Sequence, residues 1–310
     1  MKIAVLDDYQ DCVRHLSCFQ KMKGHEVLVL NRHHDDPHEL AAQLQGVQAL
    51  ILIRERTRVD GPLLDLLPQL QLIVQTGKAG RHLDLAACSS RGILVRETEG
   101  DSIATMEFTL LMILASLRHF AREVDNMARG RWQRTLGRQL HGRTLAILGL
   151  GRIGERLAQV AHGMGAHVLV WGRQNSMDKA CEQGWEPAKS REDFFERADV
   201  LCITLRLSPQ TQGHVTATDL SRMKPDAILV NTARAELIEP HALHQALLRG
   251  RPGFAAVDVY ENEPVMEKRH PLQDLPNCLC TPHLGFVELD HYEHYFSQAF
   301  DHILGFVGAS

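Results

Sequence analysis

The sequence lacks the features that would tie it to a membrane, to nucleic acid or to a disulfide scaffold. Its longest apolar stretch, Phe108 to Leu117, is interrupted by polar residues and is far shorter than the roughly 20 residues that cross a bilayer. The formal net charge of the 310 residues is only -4, which gives no electrostatic reason to expect nucleic acid or an anionic membrane as a partner. The seven cysteines include no CxxC pair, which favours reduced thiols over a disulfide framework or a zinc site.

A signal peptide and a metal-binding motif are also missing. Met1 leads directly into KIAVL, a strand pattern, so we expect a cytoplasmic protein. The histidine-rich stretch from His33 to His38 has no recognised ligand spacing, and a solvated loop is the simpler interpretation. His241 and His244 stand without an HExxH context. We therefore expect no bound metal.

The sequence does contain two series of short apolar runs separated by helix-like segments. The runs cover residues 2–6, 26–30, 49–53, 70–74 and 92–95, and then 144–150, 167–171, 200–205, 227–232, 254–260 and 278–283. Apolar strands that alternate with helices indicate parallel sheets covered on both faces. We predict an α/β protein with two doubly wound parallel-sheet domains, formed by residues 1–98 with 286–310 and by residues 99–285.

A glycine-rich turn, GLGRIG, follows the first strand of the second series and opens a helix. Gly149 would allow the tight turn, Gly151 would let the backbone approach a pyrophosphate, and Gly154 would let the helix pack on the strand. A plain structural turn could carry the same glycines. Because strand, turn and helix occur in the required order, the motif predicts a dinucleotide site at the helix N-terminus.

Candidate catalytic side chains follow three successive strands of the second series. Arg234 comes after one strand, Asp258 and Glu263 after the next, and His283 after the last. Each could be an ordinary surface or loop residue if it stood alone. Since the carboxyl ends of parallel strands meet at one edge of a sheet, the set can converge as an anion clamp, a proton donor and a carboxylate that orients the donor.

These motifs, taken in order, resemble the D-isomer-specific 2-hydroxyacid dehydrogenases. The resemblance extends from LIVQTGKAGRHLDLAACSSRGI through GRWQ, GRTLAILGLGRIG, LRLSPQTQG and NTARAELIE to DVYENEP and TPHLG. It implies a flavodoxin-like substrate domain with an inserted Rossmann NAD(P)-binding domain. The likeness is to glyoxylate/hydroxypyruvate reductases or to phosphoglycerate dehydrogenases, and we expect the chain to lack the regulatory domain that some of the latter carry.

The resemblance also implies a role for each motif residue. His283 would be the general acid/base, Glu263 its partner, and Arg234 the clamp for the substrate carboxylate. Backbone amides at Lys78 and Ala79 would bind the same carboxylate. The expected cofactor contacts are Gly149, Gly151, Arg152, Ile153, Gly154, Gly172, Arg173, Leu205, Arg206, Thr211, Thr232, Ala233, Asp258, His283 and Gly285.

The chain departs from the usual family pattern in the loop expected to bind the carboxylate. Many relatives have glycine at the position of Ala79 and a small or aliphatic residue at the position of Lys78. The loop therefore has an altered size or charge, which bears on the identity of the substrate more than on the type of reaction.

The expected reaction is reduction of a small 2-oxo acid, with a proton supplied by the imidazolium of His283. Glu263 would stabilise the protonated ring, and Arg234 would stabilise charge that grows on the reacting oxygen. The alternative is a binding protein that uses the fold as a nucleotide sensor, as corepressors resembling this family do. The intact set of three side chains favours the enzyme.

The strand HVLVW bears on cofactor choice, because Gly172 stands where an NAD-preferring relative would have an acid. That acid would repel the 2′-phosphate of NADP. Arg173 can meet a phosphate with charge, and Asn175 and Ser176 could add hydrogen bonds. We therefore favour NADP(H), with NAD(H) possible if Arg173 only stacks on adenine or reaches solvent.

A homodimer is the expected assembly. Apolar residues recur at helical spacing from Ile103 to Leu117, after an N-cap at Asp101 or Ser102, and they cover more than one face of the predicted helix. Relatives commonly pair through this part of the nucleotide domain. The alternative is a central core helix within one subunit.

Overall fold

A computed structural model describes residues 1–266 and 270–309, with the side chain of Ala309 excepted. The described chain separates into two compact units, Met1–Asp101 with Val287–Ser310 and Ser102–Phe286, of which Ser310 lies outside the described residues. All seven cysteines are free thiols. Within the described ranges no single helix is long and apolar enough to cross a membrane, although one pair bent by 63°, Ile103–Leu117 with Phe120–Ala128, meets that criterion by length and composition alone.

The first unit contains a five-stranded parallel sheet in the order β2-β1-β3-β4-β5. Its strands are β1 (Lys2–Leu6), β2 (Glu26–Val29), β3 (Ala49–Leu52), β4 (Leu72–Gln75) and β5 (Leu94–Glu97). Its helices are α1 (Pro37–Gln43), α2 (Gly61–Asp65), α3 (Leu85–Ser90) and the C-terminal α11 (Leu289–Ala309). This strand order is that of the flavodoxin-like doubly wound fold, as predicted.

Two predicted strands of this unit begin too early. The fourth and fifth apolar runs start at Leu70 and Gly92, whereas the ladders start at Leu72 and Leu94. Leu70 is 5% exposed and Ile93 is 6% exposed, so they are core residues in the turns that precede the strands. Burial therefore extends the apolar run beyond the part that forms ladder hydrogen bonds.

The second unit contains a seven-stranded parallel sheet in the order β12-β11-β10-β9-β6-β7-β8. Its strands are β6 (Thr144–Leu148), β7 (His167–Trp171), β8 (Glu186–Pro187), β9 (Val200–Ile203), β10 (Ile228–Asn231), β11 (Phe254–Val257) and β12 (Cys278–Cys280). Its helices are α4 (Ile103–Leu117), α5 (Phe120–Ala128), α6 (Arg152–Gly163), α7 (Gln174–Glu182), α8 (Arg191–Arg197), α9 (Ala217–Arg222) and α10 (Ala242–Leu248). The two-residue edge strand β8 was not predicted, because it has no apolar run.

Alternate residues of these strands fill separate cores on the two faces of the sheet. Leu148, Leu201 and Leu229 belong to one core, whereas Ile147, Cys202 and Val230 belong to the other. The helix α4 begins at Ile103 as predicted, but Ser102 at its N-cap makes no side-chain capping bond. One face of α4 is buried through Met112 and Ile113, while Leu111 is 55% exposed.

Candidate active site

The glycine-rich turn between β6 and α6 has the geometry of a phosphate cradle. Gly149 has a φ of 90°, which only glycine adopts readily, and a Cβ there would lie 2.6 Å from Leu205 Cδ2. A Cβ on Gly154 would lie 2.5 Å from the carbonyl oxygen of Gly149, whereas a Cβ on Gly151 would meet nothing within 4 Å. The first and third glycines therefore serve the turn and the helix packing, and the second keeps a surface clear.

The N-terminus of α6 is open to an anion. Gly151 occupies the N-cap and supplies no side-chain capping bond, so the first N–H groups of this 12-residue helix have no side-chain acceptor there. Arg152 is exposed and Ile153 is half-buried in the first turn. These residues can hold the pyrophosphate of a dinucleotide.

The end of β7 lies beside this cradle. A Cβ on Gly172 would be 3.6 Å from Gly149 Cα and 3.1 Å from both Cβ and Oγ of Ser176. The Ser176 hydroxyl accepts a hydrogen bond from the amide of Leu150 at 3.3 Å. Arg173 is the N-cap residue of α7 and is exposed, and its guanidinium has no ion pair or hydrogen bond with the described residues. A cation is therefore available where the adenosine ribose would lie.

The loop after β9 closes over the turn. Leu205 lies against Gly149, and Arg206 next to it is exposed. The hydroxyl of Thr211 donates to the carbonyl oxygen of Arg206 at 2.7 Å and accepts from the amide of Ser208 at 2.8 Å. Thr211 is thus occupied in shaping this loop.

The loop after β10 is fixed by a buried asparagine. The side chain of Asn231 accepts from the amide of Ala233 at 3.0 Å and donates to the carbonyl oxygen of Arg234 at 2.9 Å. Arg234 has an extended backbone and donates through Nη1 to the carbonyl oxygen of Ala233 at 2.6 Å. The residue is half-buried and lies just beyond the C-terminal end of β10.

A buried hydroxyl pair under this loop was missed by sequence reasoning. Thr109 Oγ1 on α4 lies 2.6 Å from Thr232 Oγ1, and it also contacts the carbonyl oxygen of Thr105 at 2.7 Å. Because a hydroxyl has one proton, Thr109 donates to Thr105 and Thr232 donates to Thr109. Thr109 therefore fixes the orientation of Thr232.

Asp258 is fully buried just beyond β11 and anchors the segment that contains His283. Its carboxylate accepts from the Thr281 hydroxyl at 2.7 Å, the Leu284 amide at 2.8 Å and the Gly285 amide at 2.9 Å. Burial raises the pKa of this carboxyl, although these three donors oppose the shift. A Cβ on Gly285 would lie 3.3 Å from Asp258 Oδ2, so the segment packs closely on the carboxylate.

Glu263 and His283 form a hydrogen-bonded pair at the same edge. Nδ1 of His283 lies 2.5 Å from Glu263 Oε2, and the other carboxylate oxygen accepts from the Tyr260 amide at 2.8 Å. His283 has a φ of 52°, an uncommon conformation for a non-glycine residue, and the Asp258 contacts next to it fix this backbone. The histidine is therefore oriented through both its ring and its backbone, and the contact with Glu263 does not use Nε2.

The residues expected to bind the substrate carboxylate lie in the other unit, in the loop after β4. The amide of Ala79 donates to Glu97 Oε1 at 2.8 Å, and the ammonium of Lys78 lies 3.0 Å from Glu97 Oε2. Glu97 ends the neighbouring strand β5, and sequence reasoning did not single it out. The donors expected to bind a substrate carboxylate thus already contact a carboxylate of the protein.

The histidines considered as possible metal ligands have structural contacts instead. His33 contacts Asp7 Oδ1 at 3.2 Å, and no group of three or more potential ligands with metal-binding geometry occurs in residues 1–266 and 270–309. Asp36 in the same stretch caps α1. His241 occupies the N-cap of α10 with a φ of 62°.

Comparison with known proteins identifies related sequences over most of the chain. Residues 110–285 match the model of the D-isomer specific 2-hydroxyacid dehydrogenase, NAD binding domain. The chain is 34% identical to a glyoxylate reductase of Aeropyrum pernix over 84% of its length and 80% of that protein. It is 31% identical to a D-3-phosphoglycerate dehydrogenase of Methanocaldococcus jannaschii over 80% of its length, but the match spans only 47% of that relative.

Solved structures extend the likeness to the complete chain. A phosphoglycerate oxidoreductase from Vibrio cholerae O395 is 47% identical with a TM-score of 0.97, and the match covers 100% of both chains. A putative D-3-phosphoglycerate dehydrogenase from Ralstonia solanacearum is 45% identical with a TM-score of 0.96, over 99% of this chain and 94% of that one.

Proposed function

The chain belongs to the D-isomer-specific 2-hydroxyacid dehydrogenases, oxidoreductases that act on CH–OH donors with a nicotinamide cofactor, and we propose that it reduces small 2-oxo acids to 2-hydroxy acids with NADP(H) favoured. The observation that carries this proposal is the contact of 2.5 Å between His283 and Glu263. A protein that only sensed the cofactor would not need this pair. The bound nicotinamide supplies the hydride.

The protein's own part is to supply a proton and to hold an anion. Protonated His283 donates from Nε2 to the oxygen of the reacting carbonyl, while Glu263 stabilises the positive ring through Nδ1. Arg234 binds the substrate carboxylate and stabilises charge that grows on the neighbouring oxygen. In the oxidation of a 2-hydroxy acid, neutral His283 takes the proton back.

The cofactor proposal rests on the surroundings of Gly172. No acid stands at this position, and the exposed guanidinium of Arg173 is available to a 2′-phosphate. Thr232, Ala233 and Asp258, in the loops after β10 and β11, are the residues proposed to lie near the nicotinamide ring. NAD(H) remains a usable cofactor in this scheme, because nothing at Gly172 excludes it.

We also propose a homodimer that pairs through the region from α4 onward. Six large apolar residues exposed by more than half are concentrated in this region, and a partner subunit would bury them. They are Leu111 (55%), Phe120 (60%), Val124 (53%), Met127 (62%), Trp132 (72%) and Leu136 (93%).

The direct test is turnover of glyoxylate, hydroxypyruvate and pyruvate, each with NADPH and with NADH. Glyoxylate is included because the relative from Aeropyrum pernix is a glyoxylate reductase. We expect reduction of at least one acid, and a large loss of that activity in His283→Asn with cofactor binding kept. Tight cofactor binding without turnover of any acid would overturn the proposal in favour of the sensor.

A further inference from the structure

We propose that Glu97 is a specificity-determining residue, whose carboxylate competes with the substrate carboxylate for the loop after β4. This inference rests on the proposed function, because that function makes the loop a substrate site. The ordered contacts at both oxygens of Glu97 carry it: one accepts from the Ala79 amide at 2.8 Å, and the other lies 3.0 Å from the Lys78 ammonium. An amide and a cation are the donors that a free carboxylate would need.

The backbone places Glu97 at this loop. β4 and β5 are adjacent parallel strands with Gln75 paired to Glu97, so their C-terminal ends meet at one edge of the sheet. The amide of Gly77 donates to the hydroxyl of Thr98 at 2.8 Å, and Thr98 is 1% exposed. This buried bond fixes the two loops side by side. It therefore keeps Glu97 next to the loop after β4.

The charge of Lys78 explains why a competitor is useful. A lysine in this loop raises its affinity for any small anion, and Glu97 neutralises that charge when no substrate is bound. The side chain of Lys78 is 60% exposed and that of Glu97 is 35% exposed. An ion pair this exposed contributes little stability, so the pairing with Glu97 leaves Lys78 accessible to a substrate carboxylate at modest cost.

Displacement of Glu97 selects among substrates. An acid whose other polar groups make further contacts gains enough to replace Glu97, whereas an anion with a carboxylate alone does not. The pair of Lys78 and Glu97 thus accounts for the departure of this loop from the family pattern, and it favours acids that offer further contacts beyond the carboxylate.

The test compares wild type with Glu97→Gln, using Glu99→Gln as the matched control. Glu99 is two residues further on, is exposed, and loses the same charge on substitution. The readouts are the KM and kcat for the best 2-oxo acid, and the affinity for oxamate, an unreactive carboxylate, measured by calorimetry with cofactor present. Thermal unfolding of each variant checks that the fold is intact.

We expect Glu97→Gln to lower KM by roughly three- to tenfold with kcat little changed, the effect of losing one exposed competing anion. Oxamate should bind more tightly by a similar factor, and Glu99→Gln should match wild type. Lys78→Met should raise KM more in the Glu97→Gln background than in wild type, because only there is its charge unopposed.

The sign of the effect separates competition from a structural role. If Glu97 merely supported the loop, its loss would raise KM and weaken oxamate binding, and that result would overturn the proposal. If the wild type turns over a 2-oxo acid but Glu97→Gln binds oxamate with unchanged affinity, the proposal for Glu97 is overturned. The proposed function stays intact in that case. Tighter oxamate binding without any turnover would support the role of Glu97 and contradict the proposed function alone.

Discussion

Loss of the Arg173 guanidinium should weaken the use of NADPH and leave the use of NADH nearly unchanged. Arg173 is exposed just beyond β7, and its side chain has no hydrogen bond or ion pair with the described residues, so Arg173→Ala removes no side-chain contact of that kind. A hydrogen bond to a charged group contributes about 1.5–3 kcal/mol. At 1.4 kcal/mol per tenfold, this corresponds to roughly a 10- to 150-fold change. Because the site is exposed and screened by salt, we expect the lower part of that range.

The assay is kcat/KM for each reduced cofactor at a fixed saturating concentration of the 2-oxo acid, at low and at high salt. Arg249→Ala is the control, since Arg249 follows α10 at the opposite edge of the sheet and is also exposed. Addition of Gly172→Asp should move preference further towards NADH by repelling the 2′-phosphate. The new Cβ must displace Ser176, which it would meet at 3.1 Å, so some loss with both cofactors is expected.

Two results would refute this reasoning. One is a wild type that uses NADH more efficiently than NADPH. The other is an Arg173→Ala variant that loses equally with both cofactors, since the 2′-phosphate is the only group by which they differ.

Other predictions test the remaining parts of the site and the assembly. His283→Asn should lower kcat by roughly two to four orders of magnitude while cofactor affinity by fluorescence titration stays near wild type, and retention of most activity would exclude this histidine as the acid. Arg234→Lys should raise KM for the 2-oxo acid, because an ammonium cannot form the two-pronged contact of a guanidinium, and an unchanged KM would speak against the clamp. Thr109→Val should raise KM for the cofactor, whereas Thr109→Ser should not. Only the serine keeps a hydroxyl that can orient Thr232, whose Oγ1 lies 2.6 Å from that of Thr109. Equal KM values for the two variants would exclude this positioning role. Sedimentation should show a species of twice the chain mass, and only a 34.8 kDa species at micromolar concentration would contradict the dimer.

The sequence predicts strands better than it predicts where they end. Continuous apolar runs identify eleven of the twelve strands found in the described residues, because both faces of a parallel sheet are buried. In the second unit, the runs at 144–150, 200–205 and 254–260 continue past the observed strands, which end at Leu148, Ile203 and Val257. The extra residues lie in the loops that form the candidate site. Apolarity persists there because these loops pack on the sheet edge, although the ladder has ended.

Candidate residues were predictable where a side chain has distinctive chemistry by itself, and not where its role depends on a partner from another strand. His283 and Glu263 stand out in sequence as an imidazole and a carboxylate at strand ends, and they are indeed in contact. Glu97 and Thr109 are common residue types with no local motif. Their partners are distant in the chain, with Ala79 separated from Glu97 by 18 positions and Thr232 from Thr109 by 123. Only strand adjacency and helix packing bring such pairs together. The positions of Glu97 and Thr109 in the site are therefore visible only in the folded structure, whereas the residues proposed to react, His283 and Glu263, can be identified in the sequence.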